Sequence, residues 1–174
     1  QYRSRRLRVP ERPGLRPTPD RVRETLFNWL GQDLAGWQVL DAFAGSGALG
    51  FEAASRGAAE VLLLERDPEL VRSLRETQHR LSAAAVRVER ADALAWMAQA
   101  EPAAFDLVLL DPPFDAGLAG PALVAARRLL RPAGLVYLEA SRPFDAAELE
   151  ALGFAPHRQA RAGAVHFALL RPLH

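Results

Sequence analysis

The sequence predicts an α/β fold, with a doubly wound, mostly parallel sheet of seven strands that ends in an antiparallel hairpin. From residue 37 onward, short apolar runs of strand length alternate with stretches of helical periodicity. Such alternation is typical of right-handed crossovers between parallel strands. The last two apolar runs are joined only by "RQARAGA", which is too short for a crossover, so these two strands should be antiparallel.

The elements follow one another in a regular order. Strands are expected at residues 37–43, 60–65, 85–90, 105–110, 134–140, 154–158 and 165–170. Helices are expected at residues 47–57, from 68 to about 81, and at 93–98, 118–130 and 145–152. Asp67 and Pro68 form an N-cap and first-turn pair, and Gly57 is placed to end the first of these helices.

The N-terminal region differs from the rest in charge and composition. Residues 1–23 carry eight arginines and two acids, whereas the remainder carries fourteen arginines and nineteen acids. We therefore expect a basic arm with a possible edge strand at 4–10, a Pro-rich loop and a lid helix within residues 1–36, in one compact unit with residues 37–174. The helix, at 20–30, should turn one apolar side inward, formed by Val22, Leu26, Trp29 and Leu30. The basic arm predicts a polyanionic partner.

Two missing residue types exclude several kinds of chemistry. All 22 basic residues are arginine, which excludes a Walker-type phosphate loop and a Schiff-base lysine. Cysteine is absent, which excludes disulfides, thiolate metal sites and the covalent route to pyrimidine methylation, and fits a cytoplasmic protein. The four histidines show no metal-ligand spacing and no apolar run is long enough to span a membrane, so we expect neither metal nor membrane.

A glycine-rich loop connects the first strand to its helix. In "VLDAFAGSGALG", Gly45, Gly47 and Gly50 match the G-x-G-x-x-G pattern of dinucleotide-binding loops, and Asp67 follows Gly47 by 20 residues. Glycines allow the backbone to approach a ligand closely, and the helix N-terminus favours anionic groups. A nicotinamide dinucleotide is therefore one candidate ligand.

Three acids at strand ends favour a different ligand, S-adenosylmethionine. Asp41 ends the first strand, where it would repel a pyrophosphate but hold an ammonium group. Glu65 ends the second strand, where an acid accepts from ribose hydroxyls, and Asp92 follows the third, where it accepts from an adenine amine or caps a helix. The carboxyl ends of successive parallel strands line one crevice.

The turn after the fourth strand is unusual for a structural turn. In "DLVLLDPPF", Asp111 follows four apolar residues, and Pro112 and Pro113 have no N–H donor. The Asp111 carboxylate and the Pro112 carbonyl can therefore accept both hydrogens of an exocyclic amine and direct its nitrogen at a methyl donor. Phe114 offers a flat surface on which an extruded base can stack. The pattern predicts an amino-methyltransferase.

The chain resembles the RsmD family of bacterial small-subunit rRNA guanine-N2 methyltransferases. The resemblance lies in "PGLRPTPDRVRETLFNWL", "LDAFAGSGALGFEA", "DLVLLDPPF" and "VYLEAS", with Pro19 departing from the threonine expected in "RPTTDRVRE". It implies a Rossmann-like class I fold, S-adenosyl-L-methionine as cofactor, and methylation of a guanine of 16S rRNA, nucleotide 966, in the small subunit or its late precursor. Separately, we expect a monomer.

The resemblance also assigns residues. Asp111, Pro112 and Phe114 would be catalytic. The cofactor would contact Asp41, Phe43, Ala44, Gly45, Gly47, Glu65, Arg66, Asp92, Ala93 and Thr18. Pro113, Arg5, Arg6, Arg21 and Arg23 would contact the RNA.

Three other functions stay open on the residues alone. An amino-methyltransferase of this kind can act on adenine N6 or on a protein glutamine amide, because both present the same kind of amine. The glycine fingerprint keeps a nicotinamide-dependent oxidoreductase possible. A catalytically silent RNA-binding module would also carry a basic arm.

Overall fold

The structure is a computed structural model that describes residues 19–113 and 117–174. Its strands are β1 (Gln38–Asp41), β2 (Glu60–Glu65), β3 (Val86–Arg90), β4 (Phe105–Leu110), β5 (Leu130–Ala140), β6 (Phe154–Ala162) and β7 (Val165–Pro172). Its helices are α1 (Asp20–Leu30), α2 (Ala48–Ser55), α3 (Pro68–Arg80), α4 (Ala93–Gln99), α5 (Ala119–Leu129) and α6 (Ala146–Ala151).

The seven strands form one sheet in the order β3-β2-β1-β4-β5-β7-β6. The first five pair in parallel, and β7 lies antiparallel between β5 and β6. The chain moves outward from β1 to β3 and then returns to place β4 on the other side of β1. The predicted doubly wound sheet with an antiparallel C-terminal hairpin is confirmed, and the reversal between β1 and β4 is the place where such sheets bind ligands.

Both faces of the sheet are covered, so the central strands read as continuous apolar runs. One core cluster packs α1, α2 and α3 against one face, through side chains such as Leu26, Phe51 and Leu74. The other packs α4, α5 and α6 against the opposite face, through Met97 and Leu123 among others. Side chains along a strand alternate between the two faces, so the position of an acid along its strand determines which face of the sheet it occupies.

Side-chain caps fix where the helices at the carboxyl edge begin. Asp67 accepts from the N–H groups of Glu69 and Leu70, as the sequence predicted. Asp92 accepts from the Ala95 N–H at 2.9 Å and caps α4. These caps hold both acids in the loops that follow β2 and β3.

Helix α1 docks on the sheet by aromatic and charged contacts. Val22 and Leu26 are buried as predicted, Trp29 and Leu30 are half-buried, and Phe27 is also buried. The Trp29 ring stacks on Phe167 of β7 with centroids 5.3 Å apart.

A charged network below α1 adds to this docking. Glu52 of α2 accepts from Arg56 at 2.9 Å and lies 3.7 Å from Arg23 of α1. The Arg56 guanidinium lies 5.0 Å from the centroid of the Phe27 ring. The two helices that precede and follow β1 are thereby joined.

Two segments differ from the sequence prediction. The hairpin strands extend to Ala162 and Pro172, so that only Gly163 and Ala164 separate them. Strand β5 begins at Leu130, directly after α5, rather than at residue 134. Among the described residues, no helix combines the length and the apolarity that crossing a membrane requires. The predicted edge strand at 4–10 lies outside the described residues.

Candidate functional site

Strand register brings the predicted acids to one edge and one face of the sheet. Asp41 is paired with Leu63 of β2 on one side and with Leu109 of β4 on the other. Glu65 and Asp111 each lie two residues beyond these partners, so side-chain alternation gives them the same face as Asp41. The three acids therefore line the crevice at the point where the strand order reverses.

The glycine loop bends tightly between β1 and α2. Gly45 and Gly47 have φ of +55° and +83°, in the left-handed region that favours glycine. The Gly47 N–H donates to the Ala44 carbonyl at 2.8 Å, which closes the turn. Gly47 is also the N-cap of α2 and has no capping side chain. The Ala48 N–H lies 3.4 Å from the Ser46 hydroxyl, and the Gly50 N–H donates to Asp41. This helix end therefore favours an anionic group mainly through its positive dipole end.

Glu65 joins the glycine loop to the end of β2. One of its oxygens accepts from the Gly45 N–H at 3.1 Å, and the other accepts from the Asp67 N–H at 2.9 Å. A carboxylate has about four acceptor positions, so two remain for a ligand's hydroxyl pair. The arrangement fits the ribose role that the sequence predicts for Glu65.

Asp41 is the most perturbed acid of the crevice. Its pKa is raised from 3.8 to about 7, mainly by burial and in part by the charges of Glu65 and Glu139, whereas the hydrogen bond from the Gly50 N–H lowers it. A carboxylate in this position gains from an incoming cation, because the cation compensates for the lost hydration and for the nearby negative charges. Asp41 is suited to hold an ammonium group.

The adenine end of the predicted site is more open. Asp92 and Arg66 are exposed and lie 3.9 Å apart, whereas Ala93 is buried. Phe43 and Ala44 continue the glycine loop and pack with the core clusters. The cap that Asp92 provides to α4 uses Oδ2, and its Oδ1 is the oxygen that lies 3.9 Å from Arg66.

The turn after β4 begins where the sequence places it. Asp111 is half-buried, Pro112 is buried and Pro113 is exposed. The Leu110–Leu138 pair of β4 and β5 puts Asp111 opposite Glu139. The turn at residues 111–113, called here the acceptor turn, thus lies between β1, which carries the glycine loop, and β5.

Sequence reasoning missed a buried acid on β5. Glu139 is 2% exposed and accepts from the Tyr137 hydroxyl at 2.7 Å. It shares a face with Asp41 and Asp111, and its charge acts on Asp41. An acid that interrupts the apolar run "LVYLEA" at the strand end is the signal that could have found it.

Other predicted residues stand apart from the crevice or outside the described residues. Arg21 is exposed on α1, and Arg23 is committed to ion pairs with Asp20 and Glu52. The remaining predicted residues lie outside the described ranges: Arg5, Arg6, Thr18 and Phe114. In residues 19–113 and 117–174, no three His, Asp or Glu side chains converge as a metal-ligand set.

The residues present fit S-adenosylmethionine better than a nicotinamide dinucleotide. A buried acid with a raised pKa suits the α-ammonium, the glycine-capped end of α2 suits the carboxylate on the same carbon, and Glu65 suits the ribose. A pyrophosphate would instead bring two negative charges beside Asp41 and Glu65.

Comparison with known proteins shows the family to which the chain belongs. The family model described as "Conserved hypothetical protein 95" matches residues 1–171. "Ribosomal RNA small subunit methyltransferase D" of Escherichia coli K12 is 41% identical over 171 residues, which cover 97% of this chain and 85% of that protein. The same-named protein of Haemophilus influenzae is 41% identical over 146 residues, covering 81% and 76%.

Solved structures give the same result. The candidate methyltransferase yhhF of Escherichia coli superposes with a TM-score of 0.81 at 36% identity, over 97% of this chain and 92% of that one. A precorrin-6y C5,15-methyltransferase of Geobacter metallireducens, at 20% identity and a TM-score of 0.72 over 91% and 90% of the two chains, shares the fold alone. The chain has a Rossmann-like methyltransferase fold and belongs to the RsmD family.

Proposed function

We propose that this protein transfers a methyl group from S-adenosylmethionine to the exocyclic N2 amine of a guanine in 16S rRNA, nucleotide 966 by family resemblance. The substrate would be the small ribosomal subunit or its late precursor. Family membership and the name shared by its relatives support the rRNA substrate. The residues of the crevice support the type of reaction.

One observation carries the proposal. The pairing of Asp41 with Leu109 sets the glycine loop of β1 beside the acceptor turn of β4, at the reversal of strand order. A donor held by the loop and an amine held by the turn would then meet over one edge of the sheet. Bringing two reactants together in this way is itself a large part of catalysis.

The acceptor turn is suited to bind the amine that receives the methyl group. When bound, S-adenosylmethionine supplies an electrophilic methyl carbon on a sulfonium. The Asp111 carboxylate and the Pro112 carbonyl accept the two amine hydrogens and direct the nitrogen lone pair toward that carbon. The nitrogen that receives the methyl group would gain positive charge as S-adenosylhomocysteine is released, and the Asp111 carboxylate would stabilise that charge. One amine proton then leaves to Asp111, directly or through water.

Replacing Asp111 tests this role. We expect Asp111→Ala to lower kcat by about a hundredfold or more, because a preorganised charge at the reacting nitrogen is removed. Cofactor affinity should change little, because the glycine loop, Asp41 and Glu65 remain. Methyl transfer to small subunits from a strain that lacks the protein measures kcat, and calorimetry with S-adenosylhomocysteine measures affinity.

Asp33→Ala is the matched control, since Asp33 is exposed and accepts from the nearby Ala35 N–H, away from the crevice. A fall in cofactor affinity with intact turnover would contradict the assignment. Mass mapping of 16S rRNA from the same strain identifies the nucleotide and the atom. A methyl group missing from adenine N6, or from a protein glutamine, would redirect the proposal to those amines.

The N-terminal region has a supporting part in the proposal. Residues 1–36 would cover the bound cofactor and contact RNA, and α1, packed against the sheet by Trp29 and Phe27, would anchor the arm beside the crevice. Arg21 is exposed on α1 for such a contact, whereas Arg23 has its ion pairs with Asp20 and Glu52 to maintain.

A further inference from the structure

A basic groove lies at the opposite end of the sheet from the hairpin, between α3 and the edge strand β3. It is an open surface groove of about 500 Å³, lined by Arg72, Arg75, His79 and Arg90, with Glu76 as its acid. The four basic side chains are all exposed. The groove concentrates positive charge on a body whose described residues hold sixteen arginines against nineteen acids.

The guanidinium groups of this groove are not neutralised. Within residues 19–113 and 117–174, Arg72, Arg75 and Arg90 form no ion pair with a carboxylate, and Arg75 and Arg90 reach only main-chain carbonyls at 3.4 Å. Elsewhere in the described chain, five of the sixteen arginines pair with acids, and others, such as Arg158 and Arg171 of the hairpin, do not; the pairs are formed by Arg23, Arg56, Arg66, Arg131 and Arg142. The groove therefore keeps most of its donor capacity for a ligand.

Protection of an exposed strand edge explains only part of this arrangement. Charged residues on an edge strand do discourage pairing with other chains, and Arg90 on β3 serves that purpose. Arg72, Arg75 and His79 belong to α3, which has no edge to protect. They lie three and four residues apart, so they form one stripe on the helix beside Arg90.

The groove begins at the edge of the sheet that carries the crevice. Pro68 at its start follows Glu65 by three residues, and Arg90 precedes Asp92 by two. From Pro68 to His79 the helix advances about 17 Å at 1.5 Å per residue. A nucleic-acid strand that leaves the crevice on the adenine side could thus place several consecutive phosphates along this stripe.

We propose that the α3–β3 groove binds the phosphate backbone of the RNA substrate, as a docking surface separate from the N-terminal arm. The proposal rests on the proposed function for the identity of the RNA. A guanidinium group presents paired N–H donors that match two phosphate oxygens, whereas a lysine ammonium has no such pair. Contacts of this kind orient the substrate and carry no sequence information, so the groove would contribute affinity rather than choice of nucleotide.

The test compares two triple variants of the full chain. Arg72→Gln/Arg75→Gln/Arg90→Gln removes the groove's arginines, and Arg158→Gln/Arg161→Gln/Arg171→Gln removes the same charge from the hairpin at the other end of the sheet. Binding of unmodified small subunits and of a single-stranded RNA oligonucleotide is measured from 50 to 300 mM salt. S-adenosylhomocysteine affinity shows that each variant is folded.

For the groove variant we expect a Kd for RNA at least tenfold higher and a salt slope lower by about 3, close to 1 for each phosphate that the variant no longer neutralises. The kcat at saturating substrate should stay near that of the wild type. The hairpin variant should retain the wild-type salt slope. A third variant, Arg72→Lys/Arg75→Lys/Arg90→Lys, keeps the positive charges and should have a slope close to that of the wild type.

An unchanged slope in the groove variant, or an equal decrease in the hairpin variant, would overturn the proposal. So would binding of an acidic protein, but not RNA, at this surface. If the wild-type protein binds RNA through the groove but does not methylate it, the groove proposal is supported and the proposed function is refuted.

Discussion

Asp41 is a carboxylate that the fold removes from water at the centre of the crevice. Its pKa is raised to about 7, first by burial and then by Glu65 and Glu139. The unfolded chain releases this proton near 3.8, so the folded state holds more protons between those two values. The free energy of unfolding that Asp41 contributes therefore falls as pH rises from about 4 to about 7. An incoming ammonium group reverses this cost by favouring the ionised form.

Asp41→Asn should flatten that pH dependence. At pH 8 the empty variant should be more stable than the wild type, by at most on the order of 4 kcal/mol at about 1.4 kcal/mol per pKa unit. Its affinity for S-adenosylhomocysteine should be lower and should no longer weaken below pH 7. Urea unfolding and calorimetry from pH 5 to 8 measure both, with Asp33→Asn as the exposed control. Parallel pH profiles for wild type and Asp41→Asn would contradict this account.

The sequence identifies some of these residues and not others, for a physical reason. Asp41, Glu65 and Asp111 could be predicted because each follows an apolar run at the end of a parallel strand, where position alone implies a shared edge. Glu139 ends such a run too, and Tyr137, two residues before it, donates to it, but its burial to 2% exposure depends on how the chain packs around β5. The charge it places near Asp41 follows from tertiary packing, which no local pattern encodes.

At the scale of elements, close packing of α2 on β1 and β2 aligns the glycine loop with the crevice. A Cβ built on Gly50 would lie 2.2 Å from the Leu63 side chain and 3.2 Å from an Asp41 carboxylate oxygen. Helix and strand can approach this closely only because residue 50 has no side chain. Gly50 thus serves helix–sheet packing in the dinucleotide-type fingerprint.

Gly50→Ala should push α2 away from the sheet. Overpacking of this kind costs about 1–3 kcal/mol of unfolding free energy, and cofactor affinity should fall as well because the loop moves with the helix. Gly120→Ala in α5 is the matched control, since its added Cβ meets no described atom within 4 Å apart from its chain neighbours and its own helix backbone; that variant should lose less stability than Gly50→Ala, with Pro121 as the one neighbour that its Cβ crowds. Denaturant unfolding measures the unfolding free energy of both variants. A Gly50→Ala variant as stable as the wild type would refute the packing role of Gly50.

Element boundaries show where sequence patterns lose information. The hairpin was predicted as two short strands because "RQARA" carries no apolar alternation, yet β6 runs through it to Ala162. As an edge strand, β6 exposes polar side chains along this stretch, and its pairing with β7 comes from main-chain bonds that any residue can make. In helix α1 the sequence pattern missed a buried residue. Phe27 lies outside the predicted apolar side, yet it packs in the core cluster and against the Arg56 guanidinium.

At the scale of the whole molecule, charge is divided between a basic arm and an acidic body. Residues 1–23 have a net charge of +6 and the rest has −5. A polyanion would therefore be attracted to the arm and to the basic groove, and repelled by the acids around the crevice unless it enters in one orientation. The small net charge of +1 thus hides a separation that can direct an RNA substrate.

The arm should supply its own share of the RNA affinity. Arg5→Gln/Arg6→Gln should lower the salt slope of RNA binding by about 2, since each phosphate contact contributes about 1, while S-adenosylhomocysteine affinity should not change. Combined with the groove variant, the two decreases should add, because separate sites on one polyanion release separate counterions. Titrations of small subunits between 50 and 300 mM salt measure the slopes. A combined decrease no larger than either single decrease would mean that arm and groove bind the same phosphates, and the molecule would then have one RNA surface rather than two.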